Sequence, residues 1–394
     1  MTLMKLAFLC NNMKSTNGVE RVLSQRLSLL ADSGEFDVYL ITYNQYGAPF
    51  SFPISDKVHY IDLATRYING CSYHGWFQYL DRFLSKLFYK QSVRKCISSI
   101  NPDVITCIDI HLADLTTVLE LPINAAKVVE CHCGLSAYYG DIEKYPIEKR
   151  SKELKIKEKI VNMVSRFDKV VVLTEAEKED WKLGDRVVCI PNLLTSFPEI
   201  INDDNYTSHH VISVGRYAFQ KGYDILLDAW KIVEDKHPEW SLHIYGSNDG
   251  GIGEYNILNE RVKQAFSQSV VLHHATSDVY SQYIESCFYV MPSRYESFGL
   301  TIIEAMSCGL PIISFDCKYG PRSIVKDGVT GILVPQKDTE KLADAIISMM
   351  ENEEMRHMMG ANARLESKRF LPENIMRLWR DFYKSLGKGH PIGV

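Results

Sequence analysis

Short apolar runs separated by polar loops recur along the first half of the chain. Residues 4–10 form the first run, and residues 19–33 follow with apolar side chains at helical spacing until Gly34. A short apolar run between turn residues predicts a buried strand, whereas helical spacing predicts a helix. The order strand, helix, strand predicts the opening of a doubly wound α/β domain. Further strands are predicted at 38–42, 58–61, 104–107, 127–131 and 187–190.

A polar, turn-rich stretch then divides the chain. Pro191 and Asn192 end the strand 187–190, and the residues up to about 207 are typical of a linker. A second α/β series follows, with strands at 210–214, 241–245, 270–273 and 288–291 and helices at 223–234 and 257–267. A last helix is predicted at 372–386, which carries Trp379 and Phe382 at helical spacing. The predicted domains are therefore 1–192 and 208–371, followed by the segment 372–394.

Composition and charge narrow the class of protein. Of the 394 residues, 46% are hydrophobic and 24% charged, which is typical of a soluble protein of two domains. We find no apolar run of about 18 residues, so no transmembrane helix is expected. The first apolar run is short and lacks a cleavage site, so it predicts a strand rather than a signal peptide. The net charge of −5 argues against nucleic acid as a partner.

The cysteines give no sign of disulfides or of a metal. All 10 lack a CxxC pair, and most lie in apolar, strand-like surroundings, which is typical of small core residues in a reduced, cytoplasmic protein. Cys131, His132 and Cys133 are adjacent, but His132 would point to the opposite face of a strand from the two thiols. We therefore predict no metal site.

Residues 289–304, YVMPSRYESFGLTIIE, carry the strongest chemical signal. The pattern predicts a buried strand, a polar loop containing Glu296 and Gly299, and a helix that carries Glu304. The free N–H groups and the dipole of a helix N-terminus suit a phosphate. A carboxylate on either side can accept hydrogen bonds from sugar hydroxyls, so this stretch predicts a nucleotide-sugar site.

Two cations follow the first strand of the second domain. Gly215-Arg216 ends the strand 210–214, and Lys221-Gly222 comes five residues later. Ligands bind at the carboxyl ends of strands in such sheets, and a departing nucleoside diphosphate gains negative charge. Two fixed cations there would stabilise the transition state.

Together these motifs resemble glycosyltransferase family 4, the retaining GT-B glycosyltransferases of bacterial capsule, exopolysaccharide and O-antigen synthesis. The matching features are GR…KG at 215–222, E-x7-E at 296–304 with SFG after the first Glu, and EAMSCGLPII from Glu304. The segment NGVERV at 17–22 resembles the family's GG-x-E-R-V, with Asn17 in place of the first Gly. The likeness is strongest from about 211 to 335 and weaker near the N-terminus. It implies two Rossmann-like domains facing a central cleft, and a C-terminal helix that crosses back to the first domain.

The resemblance also implies a role for each matching residue. Glu296 would bind and support the donor sugar, Glu304 the ribose, and His132 would position the donor sugar. The implied catalytic set is Glu296, His132, Arg216 and Lys221. The implied donor-binding set is Gly18, Arg216, Lys221, Gly246, Ser247, Ser297, Phe298, Gly299, Leu300, Thr301 and Glu304.

The reaction implied is transfer of a hexosyl unit from a nucleotide-sugar, a UDP-sugar, to a glycan or polyprenyl-diphosphate-linked acceptor. The chain contains no D-x-D motif, so Arg216 and Lys221 would replace a metal at the diphosphate, and no cofactor is expected. Residues 73–95 are aromatic and basic, and residues 144–159 are rich in lysine. An aromatic, basic segment such as 73–95 can lie on the cytoplasmic face of the inner membrane. For 144–159 a solvated helix face is favoured, because much of its charge is offset by Glu143, Glu148, Glu153 and Glu158.

Several alternatives stay open on sequence alone. Residues 73–95 also suit a helix packed on the core, and His132 also suits a structural role. Retention of the anomeric configuration can proceed by attack from the same face as the leaving group or by double displacement through Glu296. A catalytically inactive binding or scaffolding subunit is the alternative function, and a 2-epimerase is an enzymatic rival that the Arg216 and Lys221 pair disfavours.

Overall fold

The fold is taken from a computed structural model. It describes residues 2–65, 76–132, 134–135, 146–199, 201, 208–248, 252–266 and 268–387. The chain divides into two compact units, namely Met1–Leu193 with Pro372–Val394 (unit 1) and Leu194–Leu371 (unit 2).

Unit 1 is built on a seven-stranded parallel sheet with strand order β3-β2-β1-β4-β5-β6-β7. Its central strands are buried along most of their length, because helices cover both faces of a parallel sheet. The strands are β1 Met4–Cys10, β2 Phe36–Thr42, β3 His59–Asp62, β4 Val104–Ile108, β5 Ala126–Glu130, β6 Lys169–Val172 and β7 Val187–Cys189. The helices are α1 Gly18–Asp32, α2 Trp76–Ile100, α3 Leu112–Leu119, α4 Ile147–Val164, α5 Glu175–Trp181 and, at the end of the chain, α13 Pro372–Ser385.

Unit 2 repeats this architecture with six parallel strands in the order β10-β9-β8-β11-β12-β13. The strands are β8 His210–Val214, β9 Ser241–Gly246, β10 Val270–His274, β11 Phe288–Met291, β12 Ile312–Phe315 and β13 Gly331–Val334. The helices are α6 Tyr223–Lys236, α7 Ile252–Ala265, α8 Val279–Ile284, α9 Leu300–Ser307, α10 Pro321–Ile324, α11 Thr339–Glu351 and α12 Glu353–Ser367.

Helix α13 packs within unit 1 although it follows unit 2 in sequence. The Tyr383 ring meets Phe8 of β1 and Phe36 of β2 edge to face, each with a centroid distance of 6.1 Å. The Arg26 guanidinium of α1 lies 4.0 Å from the centre of the Trp379 ring. The apolar face that the sequence predicts for this helix is therefore buried against β1, β2 and α1.

The predicted α/β class with two parallel sheets is confirmed. Each predicted strand forms, with ends that shift by one or two residues. Helix α7 begins five residues earlier than predicted, at Ile252, where Glu254 in its first turn complements the helix dipole. The residue Ser267, at the predicted end of that helix, lies outside the described residues.

Candidate functional site

The centre of the unit 2 sheet is its topological switch point. Strand β8 pairs with β9 on one side and with β11 on the other, so the chain connections diverge between β8 and β11. Ligands of open α/β sheets bind beside the carboxyl ends of such strands. The loop after β8 carries Arg216 and Lys221, and the loop after β11 carries Glu296.

These two loops meet directly. The side chain of Lys221 reaches Glu296, with 2.6 Å between Nζ and Oε1, and both side chains are largely buried. The Ser293 hydroxyl donates to the same Oε1 at 2.8 Å. The structure thus joins two of the predicted catalytic residues as an ion pair. Ser293 is a member of this cluster that the sequence analysis missed, because a lone Ser beside Pro292 carries no signal of its own.

A second ion pair holds the same loops together. Arg294 donates to both Asp224 carboxylate oxygens, at 2.8 and 2.6 Å, in a bidentate arrangement. Its guanidinium also lies 3.9 Å from the centre of the Phe219 ring. We call Phe219, Asp224 and Arg294 the loop clasp. A bidentate pair fixes both distance and orientation, so the clasp sets the register of the loops that carry Lys221 and Glu296.

Glycine lets the two loops approach each other. Gly222 has φ of +68°, and a Cβ added there would lie 2.1 Å from the Pro292 carbonyl oxygen. The backbone of Gly246 passes equally close to Gly215, since an added Cβ would lie 2.2 Å from the Gly215 oxygen. The carboxyl ends of β8, β9 and β11 are therefore packed backbone against backbone.

The remaining carboxylate, Glu304, lies on α9, as the sequence predicts, and the structure shows that it is buried. The helix begins after Gly299, which has φ of +99°, and no side chain caps its first turn. The Tyr289 hydroxyl donates to Thr301 Oγ1 at 2.7 Å. Burial raises the pKa of Tyr289, and the negative charges of Glu296 and Glu304 raise it further, so this phenol stays neutral between the two carboxylates.

The other predicted donor residues of unit 2 line the same edge of the sheet. The side chain of Arg216 is exposed and makes no hydrogen bond or ion pair with the described residues. The Ser247 carbonyl accepts the Tyr217 N–H at 2.9 Å, which ties the loop after β8 to Gly246 and Ser247. Ser297 and Phe298 lie in the turn that leads into α9, and Leu300 is the first residue of this helix.

Strands β9 and β10 add a ring stack beside this edge. Tyr245 and His273 stack with ring centroids 4.2 Å apart, and His243 Nδ1 lies 3.0 Å from His273 Nε2. Burial, with the positive charges of His210 and His273 when they are protonated, lowers the pKa of His243 to about 4. The His243 ring is therefore neutral at pH 7.

In unit 1, His132 follows β5, as the sequence predicts, and the structure supplies its partner. His132 Nε2 lies 3.2 Å from Glu130 Oε2, and Glu130 forms a bidentate, buried pair with Arg26 at 2.8 and 2.9 Å. Burial acts to raise the pKa of Glu130, but the Arg26 charge and the His132 hydrogen bond hold it below its usual range. His132 is thus anchored to a carboxylate, which fixes its ring orientation. Gly18 is the first residue of α1, whose N-terminus also lacks a side-chain cap.

The described residues hold no group of three or more His, Cys, Asp or Glu side chains placed to bind a metal ion. Their eight cysteines are all free thiols. Cys71 and Cys133 lie outside the described residues, and so do residues 73–75 and 144–145 of the two basic segments. Within the described residues, no helix is long and apolar enough to cross a membrane.

Comparison with known proteins agrees with this geometry. Residues 200–366 match the family model of the glycosyl transferases, group 1. An uncharacterized glycosyltransferase of Haemophilus influenzae is 27% identical over 383 residues, which cover 95% of this chain and 99% of that protein. The amylovoran biosynthesis glycosyltransferase AmsD of Erwinia amylovora is 25% identical over 388 residues, 96% of this chain and 99% of that protein.

One relative with a shorter matching region and one solved structure are also similar to this chain. The GtfA subunit of the UDP-N-acetylglucosamine–peptide N-acetylglucosaminyltransferase of Streptococcus pneumoniae is 32% identical over 179 residues, 43% of this chain and 34% of that protein. Sucrose-phosphate synthase of Thermosynechococcus elongatus superposes with a TM-score of 0.78 at 20% identity, covering 97% of this chain and 99% of that chain. The expected GT-B fold is therefore confirmed. The family model matches unit 2, and both relatives of matching length carry the name glycosyltransferase.

Proposed function

We propose that this chain is a retaining, metal-independent hexosyltransferase of glycosyltransferase family 4. It moves a sugar from a UDP-linked donor to a growing bacterial surface glycan. The observation that carries the proposal is the Lys221–Glu296 pair, 2.6 Å apart at the switch point of unit 2 and beside the uncapped N-terminus of α9.

The pair suits the leaving diphosphate and the donor sugar. Lys221 and the exposed Arg216 offer positive charge where the glycosidic bond breaks, so a metal ion is not needed for neutralisation. Glu296 Oε1 accepts hydrogen bonds from both Lys221 and Ser293, which lowers the nucleophilicity of that oxygen. We therefore assign Glu296 to sugar binding and electrostatic support, and favour attack from the same face as the leaving group.

The turn into α9 suits the phosphates and the ribose. The backbone N–H groups of Phe298, Gly299 and Leu300 would hold phosphate oxygens, flanked by Ser297 and Thr301. Glu304, on the same helix, would accept hydrogen bonds from the ribose diol. Gly246 and Ser247, at the end of β9, would lie beside the base.

Two residues of unit 1 complete the proposed machinery. His132, oriented by Glu130, would position the donor sugar, because its ring is held by a buried carboxylate. Gly18, at the uncapped start of α1, would let the donor diphosphate approach the backbone.

The proposed acceptor and cellular setting rest on analogy with relatives and on composition. AmsD acts in amylovoran biosynthesis, and the pneumococcal GtfA subunit belongs to an enzyme named for a UDP-sugar. By analogy with these proteins we propose a UDP-sugar donor and a polyprenyl-diphosphate-linked glycan acceptor. The enzyme would work in the cytoplasm, in peripheral contact with the inner membrane.

Thermal unfolding of the purified protein in EDTA, against a panel of nucleotides and nucleotide-sugars, tests the proposal. A ligand that binds only the native state raises the unfolding midpoint. We expect a shift with UDP and with one UDP-sugar, and product formation from that donor with the anomeric configuration retained by NMR. No shift with any nucleotide would favour the inactive scaffolding subunit, and a shift that needs divalent metal would contradict metal independence.

Variants separate catalysis from folding. Glu296→Ala and Arg216→Ala should each lower turnover by about 100-fold or more, the usual loss when one transition-state contact is removed. Lys231→Ala is the matched control, since Lys231 lies on an exposed face of α6 and pairs with Glu234 at 3.5 Å. An unaltered rate in the Glu296 or Arg216 variant would overturn the assigned roles.

A further inference from the structure

Helix α2 exposes large apolar side chains on the arc opposite its core face. Among the side chains that the structure describes in this helix, 83–100, the buried face begins at Tyr89 and continues through Val93 and Ile97. The preceding turns present Phe83 and Phe88 to solvent, 60% and 63% exposed, together with Leu84 and Leu87. At 100° per residue these four lie on the side of the helix that faces away from the sheet.

This apolar surface is continuous with a basic one. Arg94 and Lys95 are exposed further along the same outward arc of α2. Four large apolar side chains followed by two cations on one arc form an amphipathic pattern that suits a lipid interface rather than open water.

A cationic groove lies beside this outward arc of α2. Lys86 of α2 and, across α3, Lys159 of α4 and Arg166 just after α4 line a cavity of about 320 Å³. Its floor is made by Leu112, Ala113, Thr116 and Met163, so no acidic side chain is among these lining residues. The nearby acid Glu120 pairs with Lys90 at 2.7 Å, and its charge also interacts with those of Lys86 and Arg94, so one acid is shared among three cations. The groove therefore keeps an excess of positive charge over an apolar floor, which suits a phosphate attached to a nonpolar body.

We propose that the surface formed by α2, α3 and α4 docks on an anionic lipid bilayer. The outer turns of α2 insert Phe83, Leu84, Leu87 and Phe88 at the headgroup boundary. The groove of Lys86, Lys159 and Arg166 takes a lipid phosphate. The inference rests on the proposed function, since a lipid-linked acceptor is met at a bilayer.

The occupant follows from the combination of charges and apolar side chains. A polyanion in solution, such as nucleic acid, would form ion pairs with the cations but would leave the four apolar side chains in water. A bilayer of anionic lipid buries those side chains and supplies phosphates at the same depth, and each basic residue near it adds roughly a fivefold gain in partition.

Vesicle flotation tests the proposal without turnover. The full chain should float with phosphatidylglycerol vesicles and remain at the bottom with phosphatidylcholine vesicles. The triple variant Lys86→Ala, Lys159→Ala, Arg166→Ala should lose about 100-fold in partition, since about 1 kcal/mol is lost per cation. Phe83→Ser with Phe88→Ser should lose at least about tenfold, because two aromatic anchors leave the interface.

Controls come from unit 2. The triple variant Lys231→Ala, Lys263→Ala, Lys341→Ala removes the same number of exposed cations, and Leu365→Ser removes a side chain that is 62% exposed. Both should float like the native chain. All variants should keep the native unfolding midpoint and the same shift with UDP, so that a failed donor site and a failed lipid site give different results.

Three outcomes would overturn the inference. The native chain does not float with phosphatidylglycerol, or it floats equally with both lipids, or the groove variant floats like the control variant. Release of the native chain from vesicles by millimolar glycerol phosphate would likewise reject the bilayer in favour of a site for soluble phosphate esters.

Discussion

At the scale of single residues, Gly222 combines two requirements that no other amino acid meets. Its φ is +68°, which side chains with a Cβ rarely adopt, and its Cα faces the Pro292 carbonyl at a distance that leaves no room for a methyl group. The contact between the loops of Lys221 and Glu296 depends on this approach. Gly222 therefore controls the geometry of the ion pair without touching it.

We predict that Gly222→Ala destabilises the protein by about 2–4 kcal/mol, from backbone strain plus the clash with Pro292, and abolishes the thermal shift with UDP. Gly328→Ala is the matched control. Its φ is +72°, but an added Cβ would meet no atom within 4 Å, so only the strain of about 1 kcal/mol should appear. Urea unfolding measures both variants. Equal losses in the two would show that the approach to Pro292 is unimportant.

The sequence identified those site residues whose signal is local. Glu296 and Glu304 lie on one loop and helix, and Lys221 follows Arg216 closely on another. It could not identify Asp224–Arg294 or Arg26–Glu130, because these partners are 70 and 104 residues apart and each is an ordinary charged residue by itself. Whether two residues so far apart in sequence form a pair depends on the order of the strands, which the local sequence pattern does not determine.

At the scale of elements, strands β9 and β10 carry a pH-sensitive pair of rings. His243 has its pKa lowered to about 4, while an unfolded chain would hold it near 6.5. Between about pH 4 and pH 6.5, the unfolded state therefore binds a proton at His243 that the native state does not bind. Stability from this ring is full above pH 6.5 and is lost as the pH falls toward 4.

We predict that lowering the pH from 7 to 5 costs the native protein on the order of 1 kcal/mol through this ring, since partial exposure screens the effect. His243→Gln should remove that part of the acid sensitivity in urea unfolding at the two pH values. His357→Gln, an exposed histidine of α12, should leave it unchanged. An identical pH profile in the His243 variant would exclude it as the source.

The predicted strands could be identified because each is a run rich in Val, Ile, Leu and aromatic residues, but β6 and β12, which have the same character, were not among those predicted. The start of α7 was not predicted, because Gly251 and Gly253 interrupt the apolar pattern. A helix N-terminus tolerates glycine more readily than a helix interior does.

At the scale of the whole molecule, the last helix belongs to the unit in which the chain begins. Trp379 of α13 is 3% exposed and stacks with Tyr383, while Leu378 beside it is 40% exposed. We predict that Trp379→Ala destabilises unit 1 by about 3–5 kcal/mol, the usual cost of truncating a buried aromatic side chain. Leu378→Ala should cost less than about 1 kcal/mol.

Limited proteolysis followed by mass spectrometry assigns the loss to a unit. In the Trp379 variant, new cleavage sites should arise within residues 2–193 and spare residues 208–371. Cleavage that begins in unit 2 would contradict the packing of α13 described above.

The return of α13 to unit 1 also sets an order for biosynthesis. Strands β1 and β2 leave the ribosome early, but the helix that covers Phe8 and Phe36 is made only after all of unit 2. The stretch from the end of β2 at Thr42 to the start of α13 at Pro372 takes roughly 15 to 65 seconds to synthesise, at about 5–20 residues per second. Throughout this time, unit 1 lacks the helix that packs on Phe8 and Phe36. The nascent chain is therefore most open to chaperone binding and to misassembly near its first strands.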